Sequence, residues 1–297
     1  EGGNKGAAWG IFSGKILMFV IITIIAIVAV AVIGGYVYVR VNYGIDLFNT
    51  VSQLKVLSEK VDESKLCPEA FDKVNDMKDV PGMVNSSVEN MIEYSKDNYV
   101  VNLENLPENM KAIIKLSDKQ VGALANQISY QQTGGVISVG NKSIDYELKQ
   151  IDFSNITTNG STDFNIVVRL DLAMVKDEMK GFPLKFLKKY VPDYFYVSST
   201  VKVDKVEDTQ FAYKVEHKSL TINNLDKEGT DDLFNTLDKI FKFGNAESLN
   251  LKVGETVVGA LIGNEKNPGF AYALKSKGAS DFKFVEESGV DYFIVNI

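Results

Sequence analysis

From Ile16 to Val39 no charged residue interrupts an apolar run dominated by Ile, Val, Ala and Leu. A bilayer core of roughly 30 Å takes about twenty helical residues, and lipid offers backbone groups no partners. The run therefore predicts a single transmembrane helix. Trp9 and Phe12 on one side, and Tyr36, Tyr38 and Tyr43 on the other, stand where interfacial aromatics gather. The run is too long for the apolar segment of a signal peptide, and no small-residue cleavage site follows it. Lys5 and Lys15 precede it and Arg40 follows. The N-terminus is thus expected on the cytoplasmic side, with the bulk of the chain outside.

Beyond the run the pattern turns amphipathic. Leu47, Val51, Leu54 and Leu57 recur at helical spacing between Asp46 and about Glu63, predicting a juxtamembrane helix or stalk whose Lys and Glu residues form a solvated face. Pro68 and Asp79-Val80-Pro81-Gly82 punctuate the chain, and a second helix is expected from Ser87 to about Ser95. Ile113, Ile114 and Leu116 form a short apolar run ending at Ser117. Ser117 with Gln120 has the spacing of a capping box. The following helix should carry Val121, Leu124, Ala125 and Ile128 on one face, ending at Gly134-Gly135.

Alternation then takes over. Ile144, Tyr146 and Leu148 share one parity and Ile151 and Phe153 the other. In the next strand Phe164, Ile166, Val168, Leu170 and Leu172 face one way, with Asn165, Arg169 and Asp171 opposite. One dry and one wet face mark an antiparallel sheet. Further strands are expected at Tyr196–Val203, Phe211–Val215 with His217, Phe270–Leu274, Phe282–Val285 and Tyr292–Ile297. Helices are expected over Gly181–Tyr190, from a Thr230 cap through Leu233, Leu237, Ile240 and Phe241, and around Val257, Val258, Leu261 and Ile262. Strands and helices intersperse without βαβ alternation, which favours an α+β class. The expected architecture is one N-terminal transmembrane helix and an extracytoplasmic, twisted antiparallel sheet packed on amphipathic helices. Its divisions are a cytoplasmic tail (1–15), the span (16–39), a juxtamembrane stalk and helical spacer (40–110) and the sheet-rich domain (111–297).

A net charge of −7 with no basic run disfavours a nucleic-acid partner. The chain has one cysteine and one histidine, too few for the usual zinc sets. Cys67 follows Ser64-Lys65-Leu66, which is not a lipobox, and it has no intramolecular disulfide partner. A Ser-His-Asp triad would have to use His217, whose parity with Phe211, Tyr213 and Val215 marks a core or rim residue. Ser52/Lys55 and Ser199/Lys202 match Ser-x-x-Lys without a following Lys-Thr-Gly. No phosphate-cradling glycine loop or calcium-loop spacing occurs. Asn85, Asn141, Asn155 and Asn159 open four glycosylation sequons, which matter only in a eukaryotic secretory route. No catalytic residues, cofactor or metal are assigned, and the chain is read as a non-enzyme.

What stands out is apolar surface. Tyr190, Tyr194, Phe195 and Tyr196 cluster around Pro192, and apolar strand faces outnumber the helices that could cover them. This is either an ordinary core or a groove for an acyl chain. A groove would be lined by Phe164, Ile166, Val168, Leu170, Tyr194, Tyr196 and Val201, with Val121, Leu124 and Ile128 packing from the helix.

The order of features resembles the YpmS-like family of Gram-positive membrane-anchored proteins. An anchor and spacer precede Ile114-Lys115-Leu116-Ser117-Asp118-Lys119-Gln120-Val121-Gly122-Ala123-Leu124. Long alternating strands follow, then Gly181-Phe182-Pro183-Leu184 leading into the strand at Phe195, and a later helix at Thr230. The likeness covers roughly 111–297. It implies a tubular lipid-binding fold, in which a twisted antiparallel sheet wraps a long helix around an apolar tunnel, and an extracytoplasmic bacterial location. The expected function is binding of a lipid or lipid-linked envelope component. The alternative is an accessory subunit of a membrane complex, joined through the span or through the stalk face bearing Leu47, Val51 and Leu54.

Overall fold

The computed structural model describes residues 47–68, 92–95, 98–101, 113–122, 125, 136–139, 142–178, 180, 188, 191–206, 209–241 and 244–296. The expected span at 16–39 lies outside these, as do Leu124, Ile128, Tyr190 and all but one residue of the expected helix at 181–190. Among the described residues no helix is long and apolar enough to cross a membrane.

The chain runs through α1 (Leu47–Ser58), the single turn α2 (Glu63–Leu66), and a hairpin of β1 (Ile92–Ser95) and β2 (Asn98–Val101). Next come β3 (Ile113–Ser117), β4 (Val136–Val139), β5 (Lys142–Ser154), β6 (Thr162–Asp171), α3 (Ala173–Glu178), β7 (Tyr194–Lys205) and β8 (Tyr213–Ile222). The chain continues with α4 (Lys227–Phe241), α5 (Ala246–Leu261), α6 (Phe270–Ala273), β9 (Asp281–Glu287) and β10 (Val290–Asn296). The class is α+β. Five strands form an antiparallel meander β4-β5-β6-β7-β8, and three form the antiparallel sheet β3-β10-β9.

Two bulges explain the parity changes along the long strands. Leu148 pairs with Val168 and Gln150 with Val167, so Lys149 is the extra residue in β5. In β8, Ser219 pairs with Thr200 and His217 with Val201, leaving Lys218 unopposed. Each bulge switches the inward parity by one and re-aims the side chains beside it.

The inward face of the meander carries Phe153, Phe164, Ile166, Val168, Leu170, Phe195, Val201 and Val203, all within one core cluster. The small sheet packs on it through phenylalanines: Phe153 and Phe284 have ring centroids 5.0 Å apart, and Phe284 and Phe293 5.3 Å. Ser288 (φ 57°) and Gly289 (φ 77°) make the tight β9–β10 turn, both in the left-handed conformation that a two-residue hairpin requires. Helix α5 lies against β7 and β8 and is capped by Asn245, which accepts a 2.9 Å bond from Ser248 N. It approaches so closely that a Cβ on Gly254 would sit 2.5 Å from Val201 Cγ1.

The Ser117/Gln120 capping box forms as expected: Ser117 N donates to Gln120 Oε1 at 2.9 Å and Gln120 N to Ser117 Oγ at 3.2 Å. Three expectations are corrected. Phe270–Ala273 is a helix, because a short apolar run carries no decisive period and Gly269 packs its backbone against the end of α5. Ile92–Ser95 is a strand, paired with Asn98–Val101 rather than coiled. Helix α4 starts at Lys227, where Asp226 Oδ1 accepts from Gly229 N at 2.8 Å; Thr230 lies inside the helix, fully buried, with its hydroxyl unpartnered.

Candidate functional site

The eight described positions of the expected groove divide between the two sides of the meander. Phe164, Ile166, Val168, Leu170 and Val201 face inward with Val121, each at most 3% exposed in the packed core. Tyr194 and Tyr196 point the other way, because alternation along β7 sends Phe195 and Val197 in and the tyrosines out. The structure therefore does not bring the eight together.

The outward face has its own cover. Residues 59–68, here the strap, cross it between α1 and Pro68. Cys67, with Val61 and Leu66 beside it, packs on Val167 and Tyr196. The start of the strap is fixed by two asparagines after β8. Asn223 Nδ2 donates to Leu57 O at 2.8 Å and Asn224 Nδ2 to Glu59 O at 3.1 Å, while Asn223 Oδ1 accepts from Tyr196 N at 2.7 Å. Leu57 is itself part of the main core. The last turn of α1 is thus built into the sheet domain.

Polar contact between strap and sheet converges on Glu63. Tyr196 Oη donates to Glu63 Oε2 at 2.6 Å, Arg169 Nη1 lies 3.3 Å from the same oxygen, and Lys149 Nζ lies 3.1 Å from Oε1. Arg169 Nη2 also donates to Glu147 at 2.6 Å, and Lys149 reaches Glu147 at 3.4 Å. The bulge at Lys149 places that ammonium on the outward side beside Glu147. Burial disfavours charge on Glu63, but Tyr196, Lys149 and Arg169 outweigh it and hold the carboxyl below its ordinary value. Burial first, and then the bond to Glu63, push the Tyr196 phenol up to about 12 against the opposing effect of Arg169. Burial, followed by the Glu63 charge, raises the Cys67 thiol to about 11.

Next to this cluster is a cleft of about 790 Å³, walled by Ser58 at the end of α1, strap residues 59–64, and Pro192, Asp193, Tyr194 and Tyr196. Tyr194 is 43% exposed, and its ring centroid is 4.9 Å from the Arg169 guanidinium carbon. That volume is within the range of small-ligand sites. The wall offers two phenolic rings, serine hydroxyls, carboxylates and exposed strap backbone, a set suited to binding polar groups.

The hydrolase-like combinations come apart. Ser199 Oγ donates to Asn250 Oδ1 at 2.7 Å, and Asn250 Nδ2 contacts Thr200 O and His217 Nδ1, each at 2.8 Å. Ser199 therefore bonds Asn250 and not His217. Lys202 faces the side of β7 opposite Ser199 and pairs with Asp204 at 2.9 Å. Among the described residues no three His, Cys, Asp or Glu side chains are grouped to hold a metal ion.

Of this site the sequence marks Tyr194, Tyr196 and the outward parity of Arg169. Glu63 and Cys67 carry no such signal: one is read as a solvated stalk residue and the other as a lone cysteine outside a lipobox and without a disulfide partner. Set against known protein families, curated proteins and solved structures, the chain matches none.

Proposed function

We propose that the chain is a non-catalytic, single-span bacterial envelope protein that binds the polar head of a lipid-linked envelope component outside the cell, in the cleft between strap and sheet. The observation that carries this reading is the position of the cleft. It opens at the strap, on the segment leading back through α1 toward the apolar run at 16–39, and is walled by Tyr194 and Tyr196. A ligand held by a lipid in the same bilayer would meet this side of the domain first. The inward sheet face is filled by Phe153, Phe164, Phe284 and α5, which favours head-group recognition over capture of an acyl chain in the core. The order of elements that resembles the tubular lipid-binding proteins supports a lipid-linked ligand.

Native mass spectrometry of the full chain, extracted from bacterial membranes in mild detergent, tests the proposal. A co-isolated lipid-linked species is expected, and Tyr194→Ala should release it. A chain that carries no small molecule, or one whose ligand is held equally by Tyr194→Ala, overturns the reading. Recovery of a stoichiometric protein partner without a small ligand replaces it with the accessory-subunit alternative.

A further inference from the structure

Glu63 is bound as a ligand would be. Both oxygens of one carboxylate are engaged from the sheet side by an ammonium at 3.1 Å, a guanidinium at 3.3 Å and a phenol at 2.6 Å. These donors come from three different strands, β5, β6 and β7, and one of them stands on a bulge. The carboxylate comes from a four-residue turn in residues 61–68, a stretch whose other described attachment to the sheet is a few apolar contacts. Glu63 also lines the cleft, and its side chain is 36% exposed.

We propose that Lys149, Arg169 and Tyr196 form an anion receptor for a phosphate or carboxylate group, which Glu63 of the strap occupies in the resting protein. An anionic group entering the cleft takes the place of Glu63 and releases the strap. The proposal rests on the reading of the cleft as a ligand site and names the regulation of that site.

The charge arrangement favours the exchange. With Glu63 in place, two cations face two carboxylates. Without it, among the described residues Lys149 and Arg169 face Glu147 alone, leaving one positive charge in excess beside a phenol that remains a donor at neutral pH. Such a site holds an incoming anion through charge-assisted hydrogen bonds. The exchange need not unfold the domain, because α1 is fastened separately by Asn223 at Leu57 O. What opens is the short stretch from about Val61 to Pro68, with the low local stability expected of a segment attached by few contacts.

Cys67 reports the opening directly. It is the only cysteine in the chain and, as part of the docked strap, packs against Val167 and Tyr196 of the sheet, 3% exposed. Its raised pKa keeps it in the unreactive thiol form, so undocking increases both access and thiolate fraction.

The experiment is the rate of thiol labelling of the full chain in nanodiscs at constant pH. Inorganic phosphate is expected to raise the rate saturably, by about tenfold, on the scale of one or two charge-assisted bonds. Potassium chloride at matched ionic strength should not. Glu63→Gln should label rapidly without phosphate and bind phosphate more tightly. Arg169→Gln should lose the phosphate response, and Lys149→Gln is a second variant should that one not fold. A wild-type rate raised neither by free phosphate nor by phosphatidylglycerol, a rate raised equally by chloride, or a response retained in both receptor variants overturns the proposal. Nanodiscs of phosphatidylglycerol compared with phosphatidylcholine separate the sources. Acceleration by the anionic lipid alone assigns the receptor to a lipid head group, and acceleration by free phosphate alone to a soluble anion. These readouts do not depend on the Tyr194→Ala result, so either proposal can fail while the other stands.

Discussion

The Asn250 side-chain amide donates to Nδ1 of His217 across 2.8 Å, joining α5 to the bulged part of β8. The direction of this bond is set by its neighbour. Thr200 O can only accept, so Nδ2 must face it, and the second hydrogen of Nδ2 points to His217. Asn250 is fully buried, and Ser199 Oγ completes its bonding by donating to Oδ1. The network is a structural clamp between helix and sheet.

Asn250→Ala should therefore cost about 2–4 kcal/mol, through a cavity and three unpaired groups. Asn250→Asp should cost at least as much, since an acceptor then faces Thr200 O. Urea denaturation measures both. A shift within about 0.5 kcal/mol, as for ordinary surface substitutions, would show that the network is not holding α5 in place.

Gly254→Ala tests the helix–sheet approach. The new methyl would meet Val201 Cγ1 at 2.5 Å and Cγ2 at 2.9 Å. Overpacking of this kind costs about 1–3 kcal/mol. In a double-mutant cycle with Val201→Ala, the combined loss should be smaller than the sum of the single losses, because the valine methyls that clash are gone. Strict additivity would place the cost elsewhere.

Asp118 predicts an unusual pH dependence. Burial raises its pKa, the 2.6 Å bond from Lys119 N opposes this, and the charges of Asp152 and Asp291 raise it further, to about 6 against 3.8 for the free group. The folded chain thus holds this proton more tightly than the unfolded chain. The resulting stabilisation is fully present below the unfolded value and is lost as pH rises through about 6. Two pKa units correspond to roughly 2–3 kcal/mol. Asp118→Asn should remove this dependence and stabilise the protein at pH 7.5 while changing little at pH 4. Thermal melts across that range that leave wild type and variant parallel would contradict it.

Asn223 (φ 50°) combines a left-handed backbone with a side chain that bonds both α1 and β7. Asn223→Ala loses the bonds and strains the backbone, for about 2–3 kcal/mol. Asn223→Gly loses only the bonds and should be the milder change. Equal losses would mean that the amide contacts, not the backbone, decide the position.

Much of the sheet was legible because alternation is a local property. Phe164, Ile166, Val168 and Leu170 on one parity, with Arg169 on the other, place β6 correctly. The parity change between Leu148 and Ile151 is the trace of the Lys149 bulge. The capping box at Ser117 and Gln120 was legible for the same reason: both partners lie within four residues. Phe270–Ala273 was misread because four apolar residues fit either period.

The sequence by itself determined the apolar run at 16–39, the α+β class and the wet and dry faces of the long strands, since each follows from spacing between near neighbours. Only the tertiary structure decided that the tyrosines of β7 oppose the core and that the strap is docked. It alone showed that a carboxylate at position 63 meets cations at 149 and 169. Those partners are separated by about a hundred residues of chain, and no periodicity encodes a contact of that range. The fold brings them together when burial of Leu57 and Cys67 draws the strap onto the sheet.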